Sequence, residues 1–100
     1  MADPTAPTIG LVTDSSSQIT PTLVAGGALA SRDYTPVHHD RDAAIAQGLP
    51  DMFMNILTTN GFVARYATDW AGPQARVRRI SIRLGGPCIP GLVLRFTGAV

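Results

Sequence analysis

An α+β fold is predicted by a long apolar helical stripe, a change to a period of two after it, and turn residues between the two regimes. Apolar residues at 53, 56, 57, 63, 66, 67 and 70 recur at intervals close to 3.6, the spacing of one broad buried helix face. From Arg76 the period changes, with Arg78, Ile80, Ile82 and Leu84 alternating against Val77, Arg79, Ser81 and Arg83. That alternation describes a half-buried strand. Helices in the first part and strands in the second segregate into an α+β arrangement.

Taken in order, residues 1–19 are expected to form a flexible arm with a short lead-in strand. Two prolines and small residues loosen the start, Ile9 to Val12 is a short apolar stretch, and Ser15-Ser16-Ser17-Gln18 marks a turn. The main domain then spans residues 20–100. Thr20-Pro21 fits an N-cap and a first helical proline, opening a helix from Pro21 to about Arg32. Gly26-Gly27 weakens it by about 1 kcal/mol per glycine, which suggests close packing against another backbone. Asp40 or Asp42 caps a short helix over residues 43–47, which Gly48 ends and Pro50 prevents from resuming. Asp51 opens the main helix and Gly72-Pro73 closes it. Gly85-Gly86-Pro87 breaks the first strand, Pro90-Gly91 turns the chain, and residues 92–100 read as a second strand. A two-stranded sheet is marginal in water, so further strands are expected from additional sequence, a partner, or both.

Composition excludes several classes. A chain of 100 residues makes one domain and buries only roughly 60 to 65% of its unfolded surface alone, so a partner subunit would help. The apolar fraction of 45% and charged fraction of 15% are those of a globular domain, and a net charge of +1 argues against a nucleic-acid binder. All eight basic residues are Arg and all seven acidic ones Asp, a hint of GC-rich bacterial coding. The single cysteine, Cys88, excludes an intrachain disulfide and a multi-cysteine metal site. No secretory signal opens the chain, and no apolar run reaches the ~20 residues of a membrane span. A cytoplasmic protein is the expectation.

One segment is suited to proton transfer. Asp33 and His38 stand five positions apart around Pro36, and both residue types serve as general acid or base near neutral pH. Pro36 fixes its own φ and biases Thr35 toward extended geometry, which predicts a fixed loop and not a helix turn. Taken alone, Asp33 also reads as a turn aspartate and His38 as a packed histidine. His38-His39-Asp40 is not expected to bind metal, because adjacent side chains on an extended segment point apart and the chain holds no other His and no Glu. Phe62 and Trp70 are expected as core or subunit-interface anchors, and Cys88 as inert.

The order of these features, with Asp33, Pro36, Val37, His38 and, six residues later, Ala44, resembles the MaoC-like hydratases. Thr35 stands where that signature has Asn, and Arg32 where it has Gly. Longer stretches, Ser31 to Asp42, Ala46-Gln47-Gly48, Asn55-Ile56-Leu57-Thr58 and Tyr66 to Pro73, are similar to the small subunits of heteromeric MaoC-like enoyl-CoA hydratases of actinobacterial steroid side-chain degradation. The resemblance covers about residues 20 to 100.

It implies a hot-dog fold, in which an antiparallel sheet wraps a long central helix, with C-terminal strands on the order of 30 residues absent from the sequence. Leu92 also stands where the family commonly has Asp. The implied reaction is addition of water across the double bond of a bulky 2-enoyl-CoA. Asp33 and His38 would be the catalytic pair, and the backbone N–H of Asn55, where the family has Gly, would meet the thioester oxygen. Tyr34 would line the pocket mouth. No cofactor is implied beyond the CoA of the substrate, and the partner would be a second MaoC-like subunit in a heterodimer or heterotetramer. Arg76, Arg78, Arg79 and Arg83 would then either meet CoA phosphates or form a solvated strand face. Two alternatives remain open: a non-catalytic partner subunit, and a hot-dog acyl-CoA thioesterase.

Overall fold

A computed structural model describes residues 8–9 and 18–99. Helix α1 spans Pro21–Ala30, with the Thr20 side chain accepting from the Leu23 N–H and Pro21 in the first turn. It stops short of Arg32 because that residue turns left-handed, at φ 57°. The Arg32 N–H donates to the Leu29 carbonyl at 3.1 Å and the Asp33 N–H to the Ala28 carbonyl at 2.8 Å. This pair of bonds is a Schellman motif, which satisfies the last carbonyls of a helix and fixes the residue that follows. Here the residue so fixed is Asp33.

Pro36–His38 forms one 3₁₀ turn, which corrects the expectation of a loop without helical character. The φ of proline suits the first position of such a turn, and the His38 N–H closes it on the Thr35 carbonyl at 3.1 Å. Helix α2, Arg41–Ala46, is capped by Asp40, one of the two expected caps, and starts two residues before the expected range. It ends in a second Schellman motif, with Gly48 at φ 86° and the Leu49 N–H on the Ala44 carbonyl at 3.1 Å.

Helix α3 spans Ile56–Ala71 and does not start at Asp51. Asp51 instead accepts from the Met52 N–H at 2.7 Å. The segment after it stays extended because the Phe53 N–H is taken by the Val37 carbonyl and the Met54 N–H by the Cys88 carbonyl, at 3.2 and 2.9 Å. Asn55 is the true cap, its side chain accepting from the Thr58 N–H at 3.0 Å. Gly72, at φ 85°, closes the helix.

The core gathers Ile19, Val24, Met52 and Met54, with Leu23, Phe62, Cys88 and Leu94 packed against it. Tyr66 of α3 is buried and stacks on Phe96 at 5.4 Å between ring centroids. The broad buried stripe expected on this helix is only partly realised, since Ile56, Leu57 and Trp70 are 54, 53 and 44% exposed. Phe62 is thus a core anchor, whereas Trp70 lies at the surface.

The expected strands are also corrected. Residues 76–84 form no ladder among the described residues, and all of them except Ile80 and Ile82 are exposed. Of residues 92–100, Gly98–Ala99 forms β2, antiparallel to β1, Thr8–Ile9. Val93 bridges Gln18, and the Ile19 N–H donates to the Leu92 carbonyl at 2.8 Å. A period of two favours extended backbone, but a ladder also needs a neighbour for its N–H and C=O groups. The lead-in segment supplies one for residues 91–93 and 98–99, and no described residue does so for 76–84. The rest of the arm, including the Ser15–Ser17 turn, lies outside the described residues.

Candidate active site

Local caps and turns bring the two candidate catalytic side chains together. The first Schellman motif presents Asp33, the 3₁₀ turn presents His38, and His38 Nε2 lies 3.3 Å from Asp33 Oδ2. The imidazole is buried, packed edge-on against the Phe53 ring at 4.7 Å. Its Nδ1 lies 2.7 Å from the Phe53 carbonyl oxygen. A carbonyl can only accept, so Nδ1 carries the proton. Nε2 of the neutral ring is then the basic nitrogen, and it faces the carboxylate.

Asp33 is half-buried and surrounded by donors. Its Oδ1 accepts from the Thr35 hydroxyl at 2.8 Å and the Thr35 N–H at 3.3 Å, and its Oδ2 accepts from the Asn55 amide at 3.2 Å. The Thr35 hydroxyl foremost, then the Asn55 amide and the Thr35 N–H, hold the Asp33 pKa below its ordinary value, with burial opposing them and His38 adding to them only in its protonated form. The carboxylate therefore persists across the neutral range. Thr35 thus donates to the carboxylate from the position where the family signature has Asn.

Both groups open on a cavity of about 510 Å³. Leu49, delivered by the second Schellman motif, Phe53, Met54 and Ile56 form one apolar wall, and the Leu84–Cys88 segment forms another. Gly85-Gly86-Pro87, read from sequence only as a strand breaker, is thus part of the site. Cys88 lines the cavity as well. Nothing in its sequence neighbourhood signalled that, because the contact is made by the Met54 N–H reaching the Cys88 carbonyl.

The two expected binding residues are placed differently. Tyr34 is 64% exposed and is not part of the cavity wall. It stands between Asp33 and Thr35, which bond to each other; successive side chains of an extended segment face opposite ways. Asn55 is 1% exposed and sits between the wall residues Met54 and Ile56, with its side chain turned to Ser31, Asp33 and Thr58. A side chain at this position therefore does not intrude on the cavity. The signal for it was local: Asn three residues before Thr58 is a cap pattern.

A model of the MaoC like domain matches residues 5–100 of the chain. The chain is 52% identical over 80 residues to the 3-oxo-4,17-pregnadiene-20-carboxyl-CoA hydratase beta subunit of Mycobacterium tuberculosis, covering 80% of this chain and 62% of that protein. It thus spans about three fifths of the length of that curated relative. It also superimposes on the crystal structure of the ChsH1-ChsH2 complex from Mycobacterium tuberculosis with a TM-score of 0.85 and 43% identity, covering 92% of this chain and 70% of the matched chain.

Proposed function

The chain belongs to the MaoC-like domain family, and from that premise we propose that it is a subunit of an enoyl-CoA hydratase acting on a bulky, steroid side-chain 2-enoyl-CoA. The observation that carries the reading is the 3.3 Å approach of His38 Nε2 to Asp33 Oδ2 at the wall of an apolar cavity. The hydratase subunit and the two-chain complex among the relatives support it.

The geometry suits water activation. With Nδ1 committed to the Phe53 carbonyl, neutral His38 and ionised Asp33 offer two acceptors converging on one point, and a water there donates to both. Its oxygen bonds to the β-carbon of the enoyl thioester while the pair takes its proton. The π electrons move toward the thioester oxygen, whose developing charge is met by the N-terminus of α3, with the Asn55 N–H as donor. A proton then joins the α-carbon, so one proton is taken and one returned and the pair is regenerated. No cofactor enters beyond the CoA carried by the substrate. The partner is a second MaoC-like subunit, in a heterodimer or heterotetramer, and the sheet wrapping α3 is completed in that assembly.

The test is hydration of a steroid enoyl-CoA by the co-purified complex, followed by loss of enoyl absorbance. Asp33→Asn and His38→Ala should each lower kcat by about 10² to 10⁴. Unchanged rates in both would remove the pair from the chemistry and leave this chain a structural partner, and release of free thiol would make the enzyme a thioesterase.

A further inference from the structure

We propose that the Asn55 side chain is a positioning residue for the hydration step, locking Asp33 toward His38 through an amide whose hydrogen-bonding capacity is fully used. The inference rests on the hydratase reading and goes beyond the backbone role given to Asn55 there. Its Nδ2 donates to Ser31 Oγ at 2.8 Å and to Asp33 Oδ2 at 3.2 Å. Its Oδ1 accepts from the Thr58 N–H at 3.0 Å and the Thr58 hydroxyl at 2.5 Å.

An amide offers two donor hydrogens and two acceptor lone pairs, so every one of them is engaged. Flipping the amide would set its oxygen against Asp33 and its NH₂ against the Thr58 N–H, which fixes the orientation. Ser31 is itself tied to α1, its hydroxyl donating to the Gly27 carbonyl at 2.7 Å. One side chain thus joins the end of α1, the start of α3 and the proposed base.

The placement bears on function because the bond lands on the oxygen that faces His38. Oδ1 is held by Thr35, and among the described residues Oδ2 is held by Asn55, besides its approach to the imidazole. Without the amide, the carboxylate keeps only local partners and is free to rotate away from Nε2. Among the described residues His38 is the titratable side chain beside Asp33, and the ion-paired arginines, Arg41 and Arg65, are engaged with Asp51 and Asp69. Loss of the amide donor should therefore register directly in the titration of Asp33.

Asn55→Asp keeps the cap and the size but replaces the donor with a like charge, and Asn55→Ser keeps a cap without the reach. In the co-purified complex both should lower kcat at least about tenfold with KM changed less than about threefold, and in carbon-13 NMR both should move the titration of the Asp33 carboxyl to higher pH. Ser31→Ala, which spares the bond to Asp33, should leave that titration in place. The NMR reading needs no turnover, so the inference remains testable if the complex hydrates no enoyl-CoA. An Asp33 titration unmoved in both Asn55 variants would make Asn55 a helix cap and nothing more.

Discussion

Asp33 is a carboxylate whose ionised form is favoured chiefly by hydrogen-bond donors, since Thr35 and Asn55 act on it more strongly than His38 does. A donor that bonds the ionised form lowers the pKa, so deleting one raises it. Thr35→Val should accordingly bring Asp33 back toward the ordinary carboxylate range, a move to higher pH that carbon-13 NMR of the Asp33 carboxyl in the complex would read. The stability contribution has the same sign: it is present above the unfolded-state pKa and is lost as pH falls through the lowered folded one. An acid-unfolding midpoint at higher pH in Thr35→Val than in wild type would show it. Asp33 and His38 were legible in the sequence because the turn between them is local. The side-chain role of Asn55 was not, since its partners Ser31 and Asp33 come into reach only when α3 closes on α1.

At the scale of elements, the site depends on how helices end. Both α1 and α2 stop in Schellman motifs, and each delivers a cavity residue, Asp33 in one case and Leu49 in the other. The left-handed position is filled by Gly48 in the second motif but by Arg32 in the first, the position where the family signature has glycine. A side chain there costs about 1 kcal/mol. Arg32→Gly should therefore raise the melting temperature, by up to about 4 to 8 °C for a domain of this size, and thermal denaturation of the complex checks it. A second prediction concerns the α1–α3 contact, where a Cβ on Gly27 would collide with the Thr58 side chain. Gly27→Ala should destabilise by about 1 to 3 kcal/mol, and in combination with Thr58→Ala by less than the sum of the two, as a double-mutant cycle in urea would measure. The sequence anticipated another backbone close to the paired glycines, whereas the neighbour of Gly27 is the Thr58 side chain and at Gly26 an added Cβ meets nothing within 4 Å. Helices were readable because caps and stop signals act within a few residues. Strands were not, because alternation sets which face is apolar and leaves open which backbone will pair with it.

For the whole molecule, surface and dimensions both exceed those of a self-sufficient domain. The chain exposes 7166 Å², against about 5400 Å² for a folded monomer of its mass, and its radius of gyration is 15.4 Å, against about 13 Å for a compact 100-residue domain. Val77, Leu84, Leu92 and Val93 are about half exposed, on the segments that alternate like strands yet pair little or not at all. Unpaired extended backbone beside exposed apolar side chains invites association, and the proposed heteromer is where such surface would be covered. Expressed alone, the chain should therefore form oligomers or aggregates, and co-expressed with a second MaoC-like subunit it should elute as a stoichiometric complex in size-exclusion chromatography with light scattering. Leu84→Asp tests the link between that assembly and the site, because Leu84 borders both the unpaired segment and the cavity wall. It should reduce complex yield and hydration together. Lost activity with an intact complex would instead confine Leu84 to the acyl pocket, and a monodisperse, folded chain on its own would show that no partner is needed to cover these segments.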